Sequence, residues 1–98
     1  MLLVTLAAAV LALGQPAPGA GTTATLTTPR EITLTLDGHA WRCDTSGQCI
    51  GRGGGASQPL MRECRRFVAR IGTVAAYARD GMALTEAEVA QCNTAVRG

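Results

Sequence analysis

From Glu31 the chain reads EITLTLDGHAWRC, in which Ile32, Leu34 and Leu36 alternate with Thr33 and Thr35. Alternation with period two and β-branched residues predicts a strand with one buried face. Asp37-Gly38 follows, and the favoured two-residue hairpin turn needs positive φ at both positions, which Gly adopts without steric cost. That turn pairs Leu36 with His39, Leu34 with Trp41 and Ile32 with Cys43, so apolar partners collect on one face. Asp44-Thr45-Ser46-Gly47 has Asp where a type I turn prefers it and Gly where a left-handed bulge residue is needed. It pairs Asp44 with Gln48, sets Cys43 opposite Cys49, and puts Trp41 opposite Gly51, where its ring has room. The prediction is a three-stranded antiparallel meander within 31–53, with strands near 31–36, 39–43 and 48–52.

Past the glycine-rich stretch GRGGGAS, Gly51 to Ser57, the period changes. Leu60, Cys64, Phe67, Ile71, Val74 and Ala78 fall at spacings of four and three, which predicts one amphipathic helix over 58–80. Ser57 or Gln58 is the expected cap, Pro59 lies in the first turn, and Asp80-Gly81 ends the helix. A second helix over 85–96 starts at the capping box Thr85-Glu86-Ala87-Glu88, with Val89, Cys92 and Val96 as its apolar stripe. The expected fold class is α+β, a small three-stranded antiparallel sheet followed by a helical hairpin and stabilised by disulfides.

The N-terminal part has neither period. From Leu2 to Leu13 it is almost entirely Leu, Ala and Val, then breaks at Gly14-Gln15-Pro16-Ala17-Pro18-Gly19. Such a run is too short to span a bilayer of about 30 Å but matches the apolar part of a secretory signal. Residues 1–19 are read as an export signal cleaved before Ala20, with Ala24 as second choice, although only the α-amino group supplies positive charge near Met1. Residues 20–30, rich in Gly, Ala and Thr, are expected to be a flexible tether. The remainder, 31–98, is one small domain, exported to the periplasm or secreted, with no stable transmembrane span.

Composition changes this picture in two ways. A chain of 98 residues has room for one small core, and domains of this size often rely on disulfides or metals. The formal net charge is only +2 and all nine basic residues are arginine, so nucleic acid is not an expected partner. With no lysine, GRGGGAS is not a phosphate loop of the Walker type.

The four cysteines carry the only chemistry on view. Flanking a three-residue loop as a non-hydrogen-bonded pair, Cys43 and Cys49 should have Cα atoms about 4.5 to 5.5 Å apart, within disulfide range. A redox dithiol would have two residues between its cysteines at a helix start. A zinc site would need closer ligand spacing than Cys43, Cys49, Cys64 and Cys92 provide, even with His39. No metal and no cofactor is expected, and His39, alone beside a turn, is read as a surface residue. Cys64 and Cys92 lie on the two helical stripes. Measured from the turn, however, they stand about 22 Å and about 10 Å along their helices. A bond between them needs residues 80–84 to run back along the first helix; otherwise they are two buried thiols.

The export signal, the strand ending Trp41-Arg42-Cys43, the Gly turn to Cys49, Cys64 in a helix running into Gly72, the helix end Tyr77 to Gly81, and Cys92-Asn93 near the C-terminus belong together. In this combination the chain resembles an uncharacterised family of small exported bacterial proteins. The resemblance implies a compartment and a disulfide pattern. It brings no activity and no catalytic residues.

The residues themselves offer one His, few carboxylates and no nucleophile with an evident base, so an enzyme is not expected. The leading expectation is a non-enzymatic binding or structural accessory module of the cell envelope. Its alternatives are an inhibitor or regulator of an envelope enzyme, and a small enzyme or metal-binding protein. One face is a candidate for contact. Arg62, Arg66 and Arg70 form an i, i+4, i+8 line opposite the apolar stripe, with Tyr77 on the same side and Glu63 partly offsetting the charge through Arg66. Read plainly, this is a solvated face. Read functionally, it meets an unknown envelope protein or an anionic envelope component, with arginine offering forked hydrogen bonds to phosphate or carboxylate.

Overall fold

The computed structural model describes residues 21–54 and 58–97, so the expected export signal over 1–19 lies outside the described residues. The elements in order are β1 Thr22–Leu26, β2 Ile32–Leu36, β3 His39–Cys43, β4 Gln48–Gly53, α1 Leu60–Arg70, β5 Val74–Arg79, β6 Met82–Ala83 and α2 Glu86–Asn93. The strands form one antiparallel sheet in the order β2-β3-β4-β1-β5-β6. Helices α1 and α2 pack on one face of it, an α+β arrangement in two layers.

The meander has the expected register throughout. Ile32, Leu34 and Leu36 face Cys43, Trp41 and His39, while Cys43 faces Cys49 and Trp41 faces Gly51. A Cβ at Gly51 would lie 2.8 Å from the Trp41 ring, so the indole occupies the space that only glycine leaves. Asp37 and Gly38 adopt φ of 52° and 83°, the mirror-image turn that matches the strand twist. At the next turn Asp44 Oδ1 accepts hydrogen bonds from Ser46 N, Ser46 Oγ and Gln48 N. These bonds, the Ser46 hydroxyl first, hold the Asp44 carboxyl below its ordinary range.

The sheet is larger than the three strands expected. Residues 20–30 were expected to be a tether, but Thr22–Leu26 forms β1, hydrogen-bonded between β4 and β5 at the middle of the sheet. Thr22, Ala24 and Leu26 all point into the core. Nor is 58–80 one helix. α1 stops at Arg70; Ile71 N still donates to Phe67 O, and Gly72 at φ 146° takes the backbone out of the helix into β5. The register against β1 shifts between Thr25 and Leu26, so Val74 and Tyr77, three residues apart, are both buried. That spacing mimics a helical one, which is why the period-four set ran on through the strand. Asp80-Gly81, expected to end a helix, is a second mirror-image turn with φ of 51° and 84°.

The two helices are capped differently. Pro59 is itself the N-cap of α1 with no side-chain cap, and Gln58 donates to Asp37 instead. The capping box at α2 is complete: Thr85 Oγ1 accepts from Glu88 N, and Glu88 Oε1 accepts from Thr85 N. α2 ends at Asn93, and Val96, expected on its apolar stripe, is exposed.

All four cysteines are bonded, Cys43–Cys49 with Cα atoms 3.9 Å apart and Cys64–Cys92 with 6.0 Å. The first pair is closer than the unbridged register suggests. The difference in height that stood against the second disappears because α1 is shorter and the β5–β6 hairpin brings the chain back beside it. Asn93, next to Cys92, completes this join: its Oδ1 accepts from Val74 N and its Nδ2 donates to Val74 O, each at 2.8 Å. An amide side chain thus stands where a strand partner would otherwise be.

Candidate functional site

Helix α1 has two polar faces with opposite environments. The inner one starts at Glu63, which sequence spacing placed on the surface beside Arg66. It is instead 4% exposed, aimed under the sheet. Its Oε1 accepts from Arg79 Nη1 at 3.1 Å, and its Oε2 lies 3.4 Å from His39 Nε2. His39, expected at the surface, is 3% exposed, because the meander register points it inward with Trp41 and Cys43. Its Nε2 also lies 3.3 Å from Thr22 Oγ1. These contacts come from β1, β3, α1 and β5, which is why local sequence gave no sign of them.

This cluster does not have the geometry of a nucleophile and base. Such a relay uses both imidazole nitrogens, one toward the nucleophile and one toward the orienting carboxylate. Here Thr22 and Glu63 both face Nε2, while Gly54 packs against Nδ1 so closely that a Cβ there would lie 2.6 Å away. Tyr77 belongs to the same interior. It is 1% exposed and packs against Phe67 and Trp41, not on the arginine face where helical spacing had put it. Burial pushes its phenol well above the ordinary range, with the Glu63 carboxylate adding to the effect. Among the described residues its hydroxyl makes no hydrogen bond.

The outer face of α1 is a groove of about 650 Å³ lined by Arg62, Arg65, Arg66, Arg70 and Arg97. The expected line of Arg62, Arg66 and Arg70 is therefore present, without Tyr77. Its floor is apolar, built from Leu36, Pro59, Met61 and Ala69. Asp37, at the β2–β3 turn, accepts from Arg66 Nε at 2.7 Å and from Arg66 Nη2 at 2.9 Å. The Arg66 guanidinium holds the Asp37 carboxyl below its ordinary range, and the same bond raises Arg66. Arg65 is committed elsewhere, donating to Gln91 O and Thr94 Oγ1 at the end of α2. Leu36 and Arg97 join the groove from distant positions, so helical spacing could find only its central line.

A second depression, of smaller volume (about 460 Å³), lies against the meander, with Thr33, Thr35, Ala40, Arg42, Ile50 and Arg52 among its lining. Among the described residues no cluster of His, Cys, Asp and Glu could hold a metal ion, and no helix is long and apolar enough to cross a membrane.

One family model, described as a family of unknown function (DUF8200), matches residues 3–94. No curated protein and no solved structure matches the chain.

Proposed function

We propose, for a chain that belongs to the DUF8200 family of unknown function, a non-enzymatic role as an exported binding module that takes an anionic partner in the arginine groove over α1. The observation that carries this reading is where the charge lies. Five of the nine arginines line one groove, and Asp37 is the acid paired there. Of the other four, Arg30 donates to Ile71 O at the end of α1 and Arg79 serves Glu63 and Gln58 O, while Arg42 and Arg52 line the second depression. Among the described residues Arg62, Arg70 and Arg97 have no such hydrogen bond or ion pair. Gathering like charges costs stability, about a few tenths of a kcal/mol per i, i+4 pair, which a partner of opposite charge would offset.

Two disulfides suit an oxidising compartment, in keeping with export to the cell envelope or beyond. The test is crosslinking and retention from native envelope extract at low and high salt. The parent protein should retain partners at low salt and release them at high salt. The combined variant Arg62→Gln, Arg66→Gln, Arg70→Gln should lose them at both. Equal retention by parent and variant at low salt would remove the groove from consideration.

A further inference from the structure

We infer that the occupant of the arginine groove is an acidic, amphipathic helix of a partner protein; this deepens the proposed anionic-partner reading and rests on it. Three features of the groove lead to that class of ligand.

The first is spacing. Arg62, Arg66 and Arg70 are four residues apart on α1, so successive guanidiniums are carried about 6 Å apart along the axis. Carboxylates four residues apart on a second helix repeat at the same interval and can meet all three. The protein's own Asp37 shows the contact such a carboxylate would make, a forked pair of bonds to Arg66 at 2.7 and 2.9 Å. That geometry is the one arginine supplies and lysine does not.

The second is the floor. Leu36, Met61 and Ala69 are half-buried beneath the arginines. A wholly polar polyanion, such as an acidic polysaccharide, would leave that surface wet. A helix with apolar side chains flanking its acidic line would cover it, which is how amphipathic helices dock in grooves.

The third is shape. The apolar groups Leu36, Met61 and Ala69 are half-buried while the arginines around them are exposed, whereas a protein lying on a lipid surface needs apolar side chains that project past its cationic ones. Of the exposed large apolar residues, Ile50 is on the far face of the sheet and Met82 is in the β5–β6 hairpin, which leaves Val96 beside Arg97.

The experiment uses the full, disulfide-bonded protein and a labelled helical peptide of about five turns, made of Glu, Leu and Ala, with Glu at every fourth position and Leu beside that line. One control is a shuffled peptide of the same composition; another replaces each Leu by Gln; a third is phosphatidylglycerol vesicles against phosphatidylcholine vesicles. Fluorescence anisotropy should show salt-sensitive binding of the ladder peptide, on the order of tenfold tighter than the shuffled one. The triple Gln variant should lose about tenfold, the sum expected of three exposed ion pairs. Met61→Gln should weaken the ladder peptide and leave the Leu-to-Gln peptide unaffected. Equal binding of ladder and shuffled peptides, or a preference for phosphatidylglycerol vesicles, would overturn the helix while leaving the anionic-partner reading in place. Absence of binding to every anionic probe, together with salt-insensitive retention from extract, would overturn both. The peptide comparison on the parent protein needs no variant to fold.

Discussion

Two arginine–carboxylate pairs anchor α1, one on each side, and they do different work. Glu63–Arg79 is buried, with side chains 4% and 13% exposed, and it ties the helix to β5 and, through His39, to β3. Asp37–Arg66 ties the same helix to the β2–β3 turn but is open to water, at 22% and 55%. The chemistry is the same and the surroundings are not. In the interior, losing one partner strands the other charge in a medium that solvates it poorly. At the surface, water and salt take over most of what the partner supplied. The buried pair therefore specifies the packing, while the exposed pair is adjustable and leaves its arginine available to a competing carboxylate.

Several measurements test this contrast. The largest effect is expected from Glu63→Ala, a loss of about 3 to 5 kcal/mol in denaturant unfolding with disulfides intact, because the buried Arg79 guanidinium loses its carboxylate partner. If Asp37→Ala cost as much, the contrast would fail. Next is the bond one residue along α1 from Glu63. Replacing Cys64 and Cys92 by Ala should cost about 3 to 4 kcal/mol from loop-closure entropy; their sequence separation is 28. The Cys43–Cys49 pair, at a separation of 6, should cost less, about 2 kcal/mol. Comparing the two unfolding midpoints would check the ranking. Gly51→Ala probes the buried side without touching charge. A methyl pressed against Trp41 should cost about 1 to 3 kcal/mol and shift the tryptophan emission.

The smallest effect belongs to the exposed pair. Asp37→Asn should lower the melting midpoint only slightly at neutral pH while tightening binding of an acidic peptide, since Arg66 is released. Its pH dependence has a definite sign. The folded Asp37 value lies below the ordinary 3.8, so whatever stability the pair contributes is present above that value and is lost as pH falls through the depressed one. Parent and variant should converge only in acid, and divergence on raising the pH above neutrality would contradict the assignment.

The meander was legible because its signals are local: alternation, an Asp-Gly turn and an Asp-to-Gly bulge turn lie within two dozen residues and agree on one register. β1 was not, because Thr22, Thr23, Ala24 and Thr25 read as low complexity, and only partners far along the chain make Thr22 and Ala24 interior. β5 was hidden by its bulge, although the second Asp-Gly after a β-branched start at Thr73-Val74 was a hairpin signal of the same kind as the first. His39 and Tyr77 were misplaced for related reasons: one depends on α1 and β1 closing over it, the other on a strand read as a helix. Arg62, Arg66 and Arg70 share one face because all three lie within α1, Leu60–Arg70, where helical spacing applies.

The position of β1 has a consequence for how the chain assembles. The first described strand lies between the fourth and the fifth, so a chain emerging N-terminus first produces the middle of its sheet before either neighbour exists. Until β4 and then β5 arrive, β1 has two open edges, and closing the sheet requires two long loops, a topology that slows folding and favours pairing with the wrong molecule. In a crowd of identical chains, β1 of one copy can fill the gap in another. The hazard to expect is thus an exchanged dimer.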